Sequence, residues 1–183
     1  MNIIVIIPRK FAGCGFYRQY QPYNHIAKNY PVKVLITDGL PMDDSDLKKY
    51  DIAIWHKSFF EINDIKRAKN NGLKTIVDFD DFWILQATHS LHKDYLKSNT
   101  VGKLHRLILT ADVITCTTDR LAFEISKHNI NVHVLPNAMD MNYPGCNVNR
   151  VQDQNYIFGY LGGHCHVRDV SLCTPLNSDT SLT

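Results

Sequence analysis

The residues best equipped for chemistry in this chain stand directly after short apolar runs. The densest group is VDFDDFW, which sets Asp78, Asp80 and Asp81 within four positions. Carboxylates this close suit a hard cation, as in a DxD-type site for a nucleotide-sugar diphosphate. They equally suit capping a helix or holding a basic partner such as Arg18. A phosphatase-type DxDxT is excluded, because Phe82 stands where the threonine belongs. Upstream, PRKFAGCGFYRQY offers Gly13 and Gly15, which permit a tight loop with amides facing an anion at the start of a helix. Arg18 adds a charged fork for phosphate or carboxylate. As a dinucleotide fingerprint the stretch fails, since Arg18 occupies the place of the small third residue. The plain alternative is a glycine loop joining strand to helix.

Three further groups follow the same rule of position. ATHSLHKD brings His89 and His92; His89 is a candidate for sugar contact or proton transfer, since imidazole titrates near neutral pH. TADVITCTTDRLA ends a strand on Thr115, Thr117 and Thr118, whose hydroxyls either bond a ligand or cap the next helix. Thr118 fits the cap, and Thr117 remains a ligand candidate. VLPNAMD turns at Pro136-Asn137 and presents the Asn137 amide. The last group, GYLGGHCHVRDV, sets His164 and His166 around Cys165, ligand types that zinc accepts. No second ligand pair at finger spacing accompanies them, so a glycine turn at Gly162 and Gly163 leading into a helix fits better. Neither a metal nor a cofactor is expected.

The elements that must position these residues follow from pattern. β-branched runs at 3–7, 32–36, 52–55, 75–77, 113–116 and 132–135 predict buried strands. Amphipathic stretches at 18–29, 61–70, 101–109 and 120–127, with a short turn at 44–50, predict the intervening helices. Asn71-Gly72 supplies the stop after the helix at 61–70. Alternating strands and helices predict an α/β protein with a mostly parallel sheet, covered by helices on both faces. Ligands of such sheets sit at the carboxyl ends of strands, where the groups above stand. The expected organisation is a domain over 1–138, a linker over 139–155 around Pro144-Gly145, and the incomplete start of a second domain over 156–183.

Bulk properties exclude several classes. A net charge of +2 without a basic run gives no footing for a nucleic-acid partner. Five cysteines, an odd number without a CxxC pair, indicate a reducing, cytoplasmic setting. MNIIVIIP is too short and lacks the basic flank of a signal peptide, and no run approaches the ~20 apolar residues of a membrane span.

In order, GCGFYR, VDFDDFW, TADVITCTTDRLA, VLPNAMD and IFGYLGGHCHVRD resemble a family 1 (group 1) glycosyltransferase of the GT-B fold, over residues 1 to about 170. The resemblance implies a Rossmann-like N-terminal, acceptor-side half. It implies hexosyl transfer from an activated, nucleotide-linked sugar to a hydroxyl of a glycan or lipid acceptor, compatible with peripheral contact at the inner membrane face. It implies that Asp80 and Asp81, with His89, serve catalysis. Gly13, Gly15, Arg18, Asp78, Thr117, Asn137, Gly162 and Gly163 would then contact substrate or phosphate. The family's donor domain does not fit after Val170, so the chain is expected to be truncated and inactive alone. The alternative is a non-catalytic binding module or split subunit, associating with another chain or with itself through the segment after 155. A nucleotide-dependent oxidoreductase, suggested by Asp38 after the second strand, is disfavoured by Arg18.

Overall fold

β1, Asn2–Ile6, is NIIVI, and all of it but Asn2 is buried. Such a run can only sit inside a sheet with both faces covered. The structure, a computed structural model, describes residues 1–7, 13–57, 62–138 and 140. Its other strands are β2 (Lys33–Thr37), β3 (Ile52–His56), β4 (Lys74–Phe79), β5 (Val113–Cys116) and β6 (Val132–Val134). All six pair in parallel, in the order β2-β1-β3-β4-β5-β6. This is the α/β, Rossmann-like architecture expected from the alternating pattern. The chain steps from β1 out to β2, then returns past β1 to β3 and continues in one direction. Strand order therefore reverses between β1 and β3, which opens a crevice at their carboxyl ends.

The helices are α1 (Gln21–Asn29), α2 (Asp44–Leu47), α3 (Ile62–Asn70), α4 (His92–Lys97), α5 (Thr100–Thr110) and α6 (Asp119–Ser126). Strand alternation sends successive side chains to opposite faces. Ile4, Ile6, Ala53, Trp55, Val77, Phe79 and Ile114 form the larger core with Leu47 of α2, Ile65 of α3, Leu107 of α5 and Ile125 of α6. Ile3, Val5, Ile7 and Ile54 form the smaller core against Tyr20 and Tyr23. Each fully buried large side chain contributes roughly 1.5–3 kcal/mol.

Boundaries follow local chemistry. Thr118 accepts a hydrogen bond from the Leu121 amide at 3.2 Å, capping α6 as expected. Gly72, at φ +88°, ends α3 in the left-handed conformation that glycine adopts without cost. Two helices depart from the pattern. α4 was not foreseen, because none of its residues is buried and it carries no apolar stripe. The helix expected from Arg18 starts earlier, as a π-helical segment over Gly15–Tyr20 that leads into α1. Pro22 explains the wider turn: it has no N–H to bond the Arg18 carbonyl, and Gln21 reaches back to Phe16 instead. The expected linker (apart from residue 140), the segment 156–183, Gly162, Gly163 and the His164–His166 group lie outside the described residues. Among the described residues, no helix is long and apolar enough to cross a membrane.

Candidate functional site

The carboxyl edge of the sheet collects the polar groups. Asp78 lies within β4 and is 4% exposed. It faces away from the larger core because its neighbours Val77 and Phe79 fill that core. A buried carboxylate needs partners, and it has three bonds. Arg18 Nε donates to Oδ2 at 3.0 Å and Nη2 to Oδ1 at 2.6 Å, a bidentate fork. The buried Thr115 hydroxyl donates to Oδ1 at 2.6 Å from the neighbouring strand. The remaining terminal nitrogen of Arg18 donates to the Leu135 carbonyl at 2.6 Å and to Asn137 Oδ1 at 3.4 Å. One side chain thereby ties the π-helical segment to β4 and to the chain leaving β6.

Of the readings open for Asp78, the structure supports the basic partner. The fork of Arg18, expected to hold phosphate or carboxylate, holds the Asp78 carboxylate within the protein. Burial opposes the Arg18 charge, but the bonds and charge of Asp78 outweigh it and hold the guanidinium above its usual range. Burial, reinforced by the Asp78 charge, pushes the nearby Tyr23 phenol up to about 12.

Asp80 centres a second cluster. Lys57 Nζ lies 2.7 Å and His56 Nε2 3.2 Å from its Oδ1. The parallel register explains the meeting, since His56 at the end of β3 pairs with Asp78 of β4. Lys57 also touches Asp81 Oδ2 at 2.8 Å. The Cys14 sulfur sits beside Asp80, within 4.8 Å of a carboxylate oxygen. Burial opposes the Asp80 charge, but the His56 bond and the Lys57 charge prevail and hold its carboxyl well below the usual range. Lys57 is likewise held above its usual value against burial by Asp80 and Asp81. Burial, then the neighbouring Asp80 carboxylate, pushes the Cys14 thiol up to about 12.

These groups border a cleft of about 520 Å³. Gly13, Cys14, Tyr17 and Arg18 form one wall, Asp80 and Asp81 the floor, and Asn137 with Ala138 the other wall. Gly13 sits at φ +44°, with nothing within 4 Å of where a Cβ would be. The turn there needs glycine for its backbone, and the space beside it stays open. A larger groove of about 670 Å³ runs along α1 past Tyr17, His25 and Tyr30. It contains none of the Asp78–Asp81 carboxylates, and we assign the chemistry to the smaller cleft.

The expected site residues divide accordingly. Gly13, Arg18, Asp80, Asp81 and Asn137 converge on the cleft. Asp78 stands behind it as the anchor of Arg18. Gly15 opens the π-helical segment, and Thr117 spends its hydroxyl on the Asp80 carbonyl at 2.9 Å. His89 is not among the cleft's lining; it lies in the turn before α4, where Nδ1 accepts from the Leu91 amide at 3.1 Å. Cys14, His56 and Lys57 were not singled out, although each stands just beyond or at the end of a strand. The sequence matches no model of a known protein family and no curated protein.

Two outcomes test this electrostatic arrangement. With side chains 7% and 5% exposed, Arg18 and Asp78 depend on each other. Arg18→Met or Asp78→Asn alone is expected to cost about 3–5 kcal/mol in urea denaturation, and the double variant clearly less than the sum. For Asp80, a depressed folded value means that its stabilisation is present above the unfolded aspartate's ~4 and is lost as pH falls below that. Asp80→Asn should therefore be less stable than the parent at pH 7, and the gap should narrow towards about pH 3 in acid unfolding followed by circular dichroism.

Proposed function

We propose that this chain supplies the acceptor side of a glycosyltransferase, moving a hexosyl unit from a nucleotide-linked donor to a hydroxyl of a glycan or lipid. The observation that carries this reading is the cleft at the carboxyl edge of the parallel sheet, lined by Asp80 and Asp81, the Gly13 turn and Asn137. Such a crevice is where open parallel sheets take their ligands. Its polar groups suit hydroxyls: a carboxylate accepts from an O–H, and the Asn137 amide both accepts and donates.

The cleft's own charges favour an alcohol over a free anion on this side. The cation of Arg18 is engaged by Asp78 and that of Lys57 by Asp80 and Asp81. Asp81, its side chain 75% exposed, is the carboxylate open to a ligand. On this reading Asp81 holds the acceptor hydroxyl and draws on its proton, while Asp80 fixes the floor. A carboxyl as strongly acidic as that of Asp80 is a weak base near neutral pH. The nucleotide diphosphate is held by groups outside this cluster.

Saturation-transfer NMR on the full chain, against a panel of mono- and oligosaccharides, tests the proposal. Binding of at least one sugar is expected in the millimolar range. Asp81→Asn should weaken that binding about tenfold or more, the loss of one charge-assisted hydrogen bond. No transfer to any saccharide, or binding unchanged in both Asp81→Asn and Asn137→Ala, contradicts it.

A further inference from the structure

Cys14 precedes the π-helical segment that follows β1, His56 ends β3 and Asp80 follows β4, and each offers one metal-ligating atom into the same space. The thiol sulfur, an imidazole nitrogen and a carboxylate oxygen all lie within 4.8 Å of one another. We propose that these three residues form a binding site for a zinc-class divalent cation, with a fourth position open to the cleft.

Geometry and donor chemistry carry the inference. Tetrahedral bonds of about 2.0–2.3 Å place ligand atoms about 3.3–3.8 Å apart. The His56–Asp80 separation of 3.2 Å is already at that spacing. The remaining separations, 4.8 Å at most, need an inward shift of at most about 1.0–1.5 Å. Cys14 is the member placed to move, since it is exposed and follows Gly13, whose surroundings are open. A sulfur, a nitrogen and an oxygen donor together fit a borderline cation such as zinc, and fit magnesium or calcium poorly. Three protein ligands with one vacancy are the arrangement that leaves room for water or a ligand oxygen.

Lys57 is the cation that now occupies the space beside Asp80, 2.7 Å from its Oδ1. It also reaches Asp81 at 2.8 Å, so it has a second carboxylate ready when a metal displaces it. On binding, the Cys14 S–H bond breaks and its proton leaves to solvent, His56 gives up the Nε2 proton shared with Asp80 and carries its ring proton on Nδ1, and the thiolate and Nε2 bond the metal; Lys57 keeps its charge against Asp81. Arg18 and Asp78 remain paired behind the site. The inference is independent of the saccharide reading, because neither the ligand set nor its test involves a sugar.

Cobalt(II) titration of the metal-free full chain provides the test, read by thiolate-to-cobalt charge-transfer absorption. One equivalent should bind with that band. Cys14→Ser should abolish the band while the fold survives, and His56→Ala and Asp80→Asn should each weaken binding at least tenfold. Lys57→Met, which removes the competing cation, should tighten it severalfold. Substituting His164, Cys165 and His166, which lie outside the described residues, should leave the band intact. A band that persists in Cys14→Ser or vanishes with the 164–166 substitutions overturns the site. So does the absence of cobalt uptake by the parent chain and by Lys57→Met.

Discussion

The carboxyl edge of this sheet is organised by the buried pair of Arg18 and Asp78. A carboxylate near the carboxyl end of β4, almost without exposure, would be costly alone. Arg18 compensates it through two parallel hydrogen bonds and uses its remaining nitrogen on the chain after β6. Three segments far apart in sequence are thereby held at one corner of the fold. An apolar pair of the same size would fill the volume, and such replacements often match or exceed an ion pair in stability. It would not hold the Leu135 carbonyl or bring Asn137 to the cleft. The pair contributes placement more than net stabilisation.

Once Arg18 is fixed, the remaining charges follow. The π-helical segment carries Arg18 inward and leaves Cys14 at the cleft's edge, and Pro22 is the local cause of that widened turn. Asp80 then meets His56 and Lys57 because β3 and β4 are adjacent and in register. Asp81, one residue later, turns outward and stays available. Three acids within four positions thus stand differently: Asp78 is buried on Arg18, Asp80 meets His56 and Lys57, and Asp81 pairs with Lys57 while its side chain stays largely exposed. The saccharide proposal rests on Asp81 and Asn137 and the metal proposal on Cys14 and His56, while Asp80 belongs to both.

The sheet was legible because parallel strands buried on both faces read as unbroken apolar runs rich in β-branched residues, and Ile3–Ile6 and Ile52–Trp55 are such runs. Thr118 and Gly72 were legible because capping is local chemistry. α4 was not, since a short, fully surface-lying helix leaves no apolar period. The cleft was half legible: placement after strands marked Gly13, Asp80, Asp81 and Asn137. Which of them meet depends on strand order, and His56 gave no local sign that it would face Asp80. The engagement of Arg18 by Asp78 was one of two readings at the sequence level, and only the register of β4 against its neighbours separates them. His89 shared the acids' neighbourhood in sequence but lies in the turn before α4, outside the cleft's lining.

The Arg18 fork, and not its charge alone, fastens the segments around the cleft. Native-state hydrogen exchange on Arg18→Lys tests it most directly, because lysine keeps the charge and loses the bidentate geometry. The account predicts faster exchange in Gly15–Tyr20 and in the amides around Leu135, with α3 and α5 protected as in the parent. Unchanged protection at both of those segments, or an equal loss throughout the sheet and helices, would contradict it.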